Sequence, residues 1–142
     1  MPLLHTTGVV HFSIPANDVE ESLRFYTEIL GMEFRGNVGA NGRCVVCGDV
    51  NLILVGRDAS RPVDEPLSLN GALCHQAFYV ASEEFDRAVD ALKEQGVAFD
   101  GERDVEYRRT GTFTGRSFYF YDPTGNRLEL NDPNPPTWPT EG

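Results

Sequence analysis

The sequence predicts an α+β fold of two βαβββ modules that form a curved mixed sheet with the helices on its outer face. The main observation is an internal repeat. Residues 11–34 and 75–99 each read as a strand that begins on a histidine, an amphipathic helix, a glycine and a new strand. Gly31 follows the first histidine by 20 residues, and Gly96 follows the second by 21. A repeated supersecondary unit of this kind indicates a fold built from two equivalent halves.

Changes in composition predict where the modules begin and end. We assign residues 8–58 to the first module, 59–71 to a polar connector and 72–131 to the second module, all within one domain. Residues 132–142 contain four prolines and show no periodicity, so they are predicted to form neither a helix nor a central strand. We expect this tail to lie across a neighbouring element, with Trp138 as its anchor.

The first module opens with a strand at residues 9–14, where apolar and β-branched side chains predominate. Asn17 or Asp18 is predicted to cap the helix that follows, and Gly31 to end it. The apolar stripe of this helix is predicted to comprise Val19, Leu23, Tyr26 and Leu30. Residues 32–55 contain enough apolar runs for three strands, with breaks at 36–42 and 48–49.

The second module repeats this order after the strand that begins at His75. Ser82 is the predicted helix cap. The predicted buried stripe comprises Phe85, Ala88, Val89 and Leu92. A strand is expected at 97–99, then a polar loop carrying Arg103, Arg108 and Arg109, and finally a hairpin of residues 117–121 and 127–130 around a Pro-Thr-Gly turn.

Composition excludes several classes of partner. The chain has 142 residues, 40% of them hydrophobic, and a net charge of −10, which opposes binding to nucleic acid or to an anionic membrane. It has no basic segment followed by an apolar one at its start and no apolar run of about 20 residues, so we expect a cytoplasmic protein without a membrane span. Cys44 and Cys47 have CxxC spacing but lie in an apolar run, which favours small core residues over a redox pair.

Two histidines and a glutamate are the candidate metal ligands. His11 and His75 occupy matching positions at the start of the two repeated strands. If Thr124 centres the closing hairpin, paired residues have numbers that sum to 248, which places Tyr119 opposite Glu129 on the same sheet face as Ser117. Each residue has an ordinary alternative when taken singly, since a strand histidine can be hydrogen-bonded in a core and Glu129 can pair with Arg127. The matching histidine positions favour the metal site.

Two imidazoles and one carboxylate leave open coordination positions. This set suits Fe2+ or Mn2+ best, with Ni2+, Co2+ or Zn2+ as alternatives. A structural zinc site differs, because four protein ligands complete the coordination and leave no open position.

The sequence resembles the vicinal oxygen chelate superfamily, which includes glyoxalase I, fosfomycin-resistance enzymes, extradiol dioxygenases and bleomycin-binding proteins. The motifs are the His-x6-Asp of residues 11–18, His-Gln-Ala-Phe at 75–78, and Phe-Tyr-Asp-Pro-Thr-Gly-Asn-Arg-Leu-Glu at 120–129. The resemblance extends over about residues 8–131. It implies paired βαβββ modules, the metal ligands His11, His75 and Glu129, and a homodimer.

The branch of the superfamily is less defined. Glyoxalase I has a further carboxylate on the last strand of its first half, and residues 50–55 here contain neither acid nor histidine. Extradiol dioxygenases have an additional acid–base histidine, for which only His5 is left. The segment 115–122 is most similar to the fosfomycin-resistance branch, which implies substrate contacts by Ser117, Tyr119 and Arg109. That branch continues into a helix with an arginine for the phosphonate, which the proline-rich tail replaces.

Together with the candidate ligands, the resemblance implies a metal-dependent enzyme for a small aromatic or anionic substrate that chelates the ion through adjacent oxygens. The reaction is expected to be either a dioxygenation or a Lewis-acid-assisted opening of a ring or epoxide. The alternative is a metal-free protein that binds a small molecule or antibiotic, of the bleomycin-resistance type.

Overall fold

The computed structural model describes residues 1–57, 74–101 and 104–140. The chain divides into two compact units, Met1–Asp64 and Glu65–Gly142, and each contains one four-stranded mixed sheet. The predicted α+β class with two βαβββ modules is confirmed. The strands hydrogen-bond as two sheets, one in each unit, where the sequence analysis expected one. The predicted connector at 59–71 and Arg103 lie outside the described residues.

The first unit contains strands β1 to β4 and the helix α1. The strands are β1 (His11–Ala16), β2 (Glu33–Val38), β3 (Gly42–Cys47) and β4 (Val50–Gly56), in the spatial order β1-β4-β3-β2. β1 is parallel to β4, and the other pairs are antiparallel. Helix α1 packs on β3 and β4, so Val45, Leu52 and Leu54 are buried on that face. Cys44 and Cys47 on β3 are only half-buried, and Cys74 is exposed.

Helix α1 (Val19–Arg24) begins as the sequence predicts but ends differently. Asp18 is the N-cap, and its carboxylate accepts hydrogen bonds from the N–H groups of Glu20 and Glu21, both at 3.1 Å. The helix then widens into a π-helical turn, Phe25–Ile29. A π turn holds one more residue than an α turn, so the buried face advances and Phe25 joins Tyr26 in the core. The other three residues of the predicted stripe, Val19, Leu23 and Leu30, are only half-buried.

The second unit contains strands β5 to β8 and the helix α2. The strands are β5 (Gln76–Tyr79), β6 (Glu106–Arg108), β7 (Gly115–Tyr121) and β8 (Arg127–Asp132), in the spatial order β5-β8-β7-β6. Helix α2 (Phe85–Glu94) follows a 3-10 turn, Ser82–Glu84, and buries Phe85, Val89 and Leu92. Ser82 was predicted to cap this helix, but its hydroxyl instead donates to the carbonyl oxygen of Asn134, at 2.9 Å.

The closing hairpin has the predicted register. β7 and β8 pair Tyr119 with Glu129, Ser117 with Asn131 and Tyr121 with Arg127. The strand expected at 97–99 makes only one isolated bridge, between Phe99 and Phe120. β6 forms instead within the stretch predicted to be a polar loop.

The proline-rich tail packs against its own unit. Trp138 lies 6.1 Å from the ring of Tyr107 on β6, measured between ring centroids. This contact agrees with the expectation that Trp138 anchors the tail on a neighbouring element. Within the described residues, no helix is both long and apolar enough to cross a membrane.

Candidate active site

The second unit contains a concave pocket of about 490 Å³ on the face of its sheet opposite α2. Strand alternation creates this arrangement, because Phe118 and Phe120 of β7 are fully buried while Ser117 and Tyr119 point to the other face. The lining residues are His75, Ala77, Phe78, Tyr79, Glu106, Arg108, Phe113, Tyr119, Arg127, Glu129 and Asn131. The pocket therefore combines an imidazole, carboxylates, guanidinium groups and aromatic rings.

His75 and Glu129 meet in this pocket. Nε2 of His75 lies 2.8 Å from Oε1 of Glu129. The other carboxylate oxygen, Oε2, accepts a hydrogen bond of 2.8 Å from the hydroxyl of Ser117. Glu129 is only 8% exposed. A carboxylate this buried needs polar partners, and His75 and Ser117 provide them.

Tyr119 lies between the carboxylate and the arginines. Its ring contacts the imidazole of His75 edge to face, with 5.5 Å between centroids. Burial, followed by the negative charge of Glu129, raises the pKa of Tyr119 above its ordinary value, although a hydrogen bond from Arg108 acts in the opposite direction. The phenol therefore stays protonated at neutral pH and is available as a hydrogen-bond donor.

Two arginines contribute positive charge to the pocket. The guanidinium carbon of Arg127 lies 3.9 Å from the centroid of the Tyr119 ring, and its Nη2 donates to Asp100 at 3.2 Å. Arg108 extends from β6 toward the phenol of Tyr119. Planar guanidinium groups bind carboxylate, phosphate and phosphonate oxygens well.

The donor atoms of His75 and Glu129 fit a divalent cation. Ligand bonds of about 2.1 Å at a right angle place two donor atoms about 3 Å apart. The observed separation of 2.8 Å is close to that value. One imidazole nitrogen and one carboxylate, with the carboxylate oriented by a hydrogen bond from Ser117, are typical of divalent metal sites.

The structure brings together two of the three predicted ligands and both Ser117 and Tyr119. His11 opens β1 in the first unit, where it is exposed and pairs in register with Asn51. In the described parts of the chain, no group of three or more His, Cys, Asp or Glu side chains that could hold a metal forms. The role of His11 as a ligand therefore stays a prediction.

Arg109 does not line the pocket. Its guanidinium lies over Trp138, 5.0 Å from the ring centroid, and donates a hydrogen bond to the carbonyl oxygen of Pro139. The arginines of the pocket are the adjacent Arg108 and the distant Arg127.

Glu106 and Phe113 were not predicted as pocket residues, because their segment was predicted to be a loop. Arg108 was predicted, together with Arg103 and Arg109, as a cation for an anionic substrate. In β6, Glu106 and Arg108 share one face by alternation. The position of Arg127 was available from the hairpin register, which places it on the same face as Tyr119 and Glu129. Arg127 was predicted to lie on this face and to be a possible ion-pair partner of Glu129, with no role toward a substrate.

Comparison with known proteins gives consistent matches over most of the chain. Residues 8–130 match the family model described as Glyoxalase/Bleomycin resistance protein/Dioxygenase superfamily. The chain is 32% identical over 123 residues to the glutathione transferase FosA of Serratia marcescens, covering 85% of this chain and 77% of the relative. It is 26% identical over 132 residues to the metallothiol transferase FosB of Staphylococcus epidermidis, covering 90% and 83%.

A solved structure with the same fold is a mutant of the fosfomycin resistance protein FosX from Listeria monocytogenes, in complex with Mn(II) and 1S,2S-dihydroxypropylphosphonic acid. Its TM-score is 0.65 at 22% identity, with 89% of this chain and 90% of that chain covered. At this identity the likeness establishes the fold alone.

Proposed function

We propose that this chain, which belongs to the Glyoxalase/Bleomycin resistance protein/Dioxygenase superfamily, is a divalent-metal enzyme that opens a strained ring in a small anionic molecule. One observation carries the proposal. His75 and Glu129 converge in a pocket with their donor atoms 2.8 Å apart, and Ser117 holds the second carboxylate oxygen. A buried glutamate that is oriented in this way beside an imidazole is better suited to a metal than to packing.

His75 and Glu129 would hold the ion, and we propose His11 as the third ligand. Mn2+ and Fe2+ suit this set of donors best. A bound divalent ion supplies a Lewis acid that offsets negative charge on substrate oxygens. Ser117 keeps the carboxylate in one orientation, which is the usual task of a group that hydrogen-bonds to a ligand.

The remaining pocket residues would bind and polarise the substrate. Arg108 and Arg127 attract a phosphonate or carboxylate group into the pocket. Tyr119, kept protonated by its raised pKa, donates a hydrogen bond to the oxygen that gains negative charge when the ring C–O bond breaks. The attacking nucleophile is a thiol or water. It forms the new bond at the ring carbon as the ring C–O bond breaks, and its proton ends on the oxygen that is released.

The relatives support this reaction over dioxygenation. FosA is a glutathione transferase and FosB is a metallothiol transferase. We therefore propose fosfomycin or a similar phosphonate epoxide as the first substrate to test. The proline-rich tail replaces the arginine-bearing helix expected in that branch, so Arg108 and Arg127 would carry the recognition of the anion. We also propose a homodimer, as the family resemblance implies.

The decisive experiment is metal analysis of protein purified without chelator, followed by Mn2+ titration. We expect about one ion per chain, and loss of tight binding in His75→Ala and Glu129→Gln. His11→Ala tests the third ligand. His5→Ala is the matched control, since it removes a histidine outside the proposed set and should bind Mn2+ like the original protein. Absence of Mn2+, Fe2+, Co2+, Ni2+ and Zn2+ uptake would exclude the enzyme and favour the metal-free binding protein.

Substrate assays on the loaded protein separate the reactions. Consumption of fosfomycin that depends on glutathione, cysteine or water alone would identify the nucleophile. Oxygen uptake with catechols by the Fe2+-loaded protein, without any fosfomycin turnover, would instead assign the protein to the dioxygenases.

A further inference from the structure

The tail is held at its start by buried polar contacts of the second unit. Asp132, which is 1% exposed, binds Nε of Arg116 through Oδ2 at 2.9 Å. The backbone of residues 132–133 lies so close to Gly115 that no Cβ would fit there. Two residues further on, the carbonyl oxygen of Asn134 accepts the hydroxyl of Ser82 at 2.9 Å. The tail therefore leaves β8 in a defined direction.

The end of the tail returns to β6. Trp138 lies against the Tyr107 ring on one side and under the guanidinium of Arg109 on another, at 6.1 and 5.0 Å between centres. Arg109 also donates a hydrogen bond to the carbonyl oxygen of Pro139. Tyr107 is also the residue of β6 that pairs in register with the buried Arg116 of β7. Residues 132–140, which we call the tail clasp, thus hold both neighbours of Arg108.

Because side chains alternate along β6, the contact between the tail and Tyr107 also affects the orientation of the pocket residues Glu106 and Arg108. Tyr107 faces the tail, so Glu106 and Arg108 face the pocket. β6 has only three residues and is the last strand in the order β5-β8-β7-β6. A strand this short, paired with β7 alone in that order, has few hydrogen bonds to hold its backbone in place. The tail clasp contacts β6 through Tyr107, on the face of the strand opposite the pocket.

We propose that the tail clasp is a positioning element for anion binding, with Trp138 and Arg109 holding β6 so that Arg108 points at the substrate. This inference rests on the proposed function, in which Arg108 binds the anionic group of the substrate. It assigns Arg109 the task of gripping the tail rather than the substrate. It also explains how an anion site forms here without the arginine-bearing helix expected in the fosfomycin-resistance branch.

The test measures binding of phenylphosphonate to the Mn2+-loaded protein by isothermal titration calorimetry. Trp138→Ala and Arg109→Ala should each weaken phenylphosphonate binding by about three- to tenfold, which corresponds to the loss of one cation–π contact and the order it imposes. Mn2+ affinity should stay unchanged, because His75 and Glu129 line the pocket, whereas the tail packs on Tyr107 and Arg109, which alternate away from the pocket-facing Arg108. Trp138→Phe should recover part of the binding. Thr137→Ala, an exposed neighbour in the tail, is the matched control and should bind normally.

A double-mutant cycle distinguishes positioning from general damage. If the clasp acts through Arg108, Trp138→Ala should cause no further weakening in an Arg108→Ala background. Trp138 is also the single tryptophan of the chain, so its fluorescence should respond to phenylphosphonate in the original protein and much less in Arg108→Ala.

The outcomes separate the two proposals. If Arg108→Ala weakens phenylphosphonate binding and Trp138→Ala does not, the clasp is wrong and the proposed function stands. The clasp proposal would also be overturned if Trp138→Ala lowered the affinities for Mn2+ and phenylphosphonate equally. The same holds if the losses of phenylphosphonate affinity in Trp138→Ala and Arg108→Ala added fully in the double mutant. If Arg108→Ala leaves phenylphosphonate binding intact, the anion site of the proposed function and the clasp both fail.

Discussion

Replacing Ser117 by alanine should weaken metal binding without changing either proposed ligand in the pocket. Ser117 is 7% exposed, and its hydroxyl donates to Oε2 of Glu129 at 2.8 Å. Without this bond, the carboxylate loses the contact that holds Oε2 and gains freedom to rotate, while Oε1 keeps its contact with His75 at 2.8 Å.

The size of the effect follows from the strength of that hydrogen bond. A hydrogen bond to a charged group contributes about 1.5–3 kcal/mol, and each 1.4 kcal/mol is a factor of ten in affinity. Ser117 orients the carboxylate before the ion binds as well as after, so only part of this energy favours the loaded state. We therefore expect Mn2+ to bind about tenfold more weakly, at the lower end of the range of about 10–100-fold for groups that support metal ligands.

The assay is a Mn2+ titration followed by electron paramagnetic resonance of the free ion, with circular dichroism to verify folding. Ser82→Ala is the matched control, because it also removes a serine hydrogen bond of 2.9 Å, but one made to Asn134 outside the pocket. A Ser117→Ala protein that is folded and binds Mn2+ within twofold of the original would refute the reasoning that Ser117 orients Glu129 for a metal.

Two further predictions concern stability. Asp132→Asn should destabilise the protein by about 1.5–3 kcal/mol, because the guanidinium of Arg116, 4% exposed, loses its buried carboxylate partner and keeps Asp86 and the carbonyl oxygen of Ser82. Urea unfolding measures this loss. Arg87→Ala, which breaks the exposed Arg87–Glu84 pair, is the control, and an Asp132→Asn loss below about 1 kcal/mol, the size expected for that control, would contradict the prediction. The pKa of Tyr121 is raised because its hydroxyl donates to Asp100 at 2.7 Å and because the residue is partly buried. The stability that this hydrogen bond contributes is complete below the unfolded-state pKa of about 10. It is lost as the pH rises through the higher folded-state pKa. Tyr121→Phe should therefore make stability fall less steeply as the pH rises above about 10. An unchanged dependence of the urea unfolding free energy on pH would show that the phenol does not contribute.

The sequence by itself determined the repeated module and most of its elements. Both helices begin within a few residues of the predicted positions, since caps and apolar spacing are local signals. The hairpin register was also predictable, because side chains alternate with a period of two and the Pro-Thr-Gly turn sets the pairing. Ser117, Tyr119 and Glu129 could therefore be assigned to one face of the hairpin from the sequence alone.

Sequence periodicity could not predict features that depend on a second segment. The π turn at Phe25 moves the buried face of α1 by one residue, and nothing in the spacing of apolar residues signals it. β6 forms in a polar stretch because β7 offers it a partner, and that pairing brings Glu106 and Arg108 to the pocket.

Only the tertiary structure decided which charged groups meet. Arg108 and Arg109 are neighbours in the sequence with the same charge, and the sequence favoured Arg109 for the substrate. The fold directs one guanidinium to the pocket and the other to Trp138, because adjacent positions at the edge of a sheet face opposite sides and the tail covers one of them. The physical reason is general: local patterns encode which face a side chain takes, whereas the partner on that face is supplied by a segment distant in the chain.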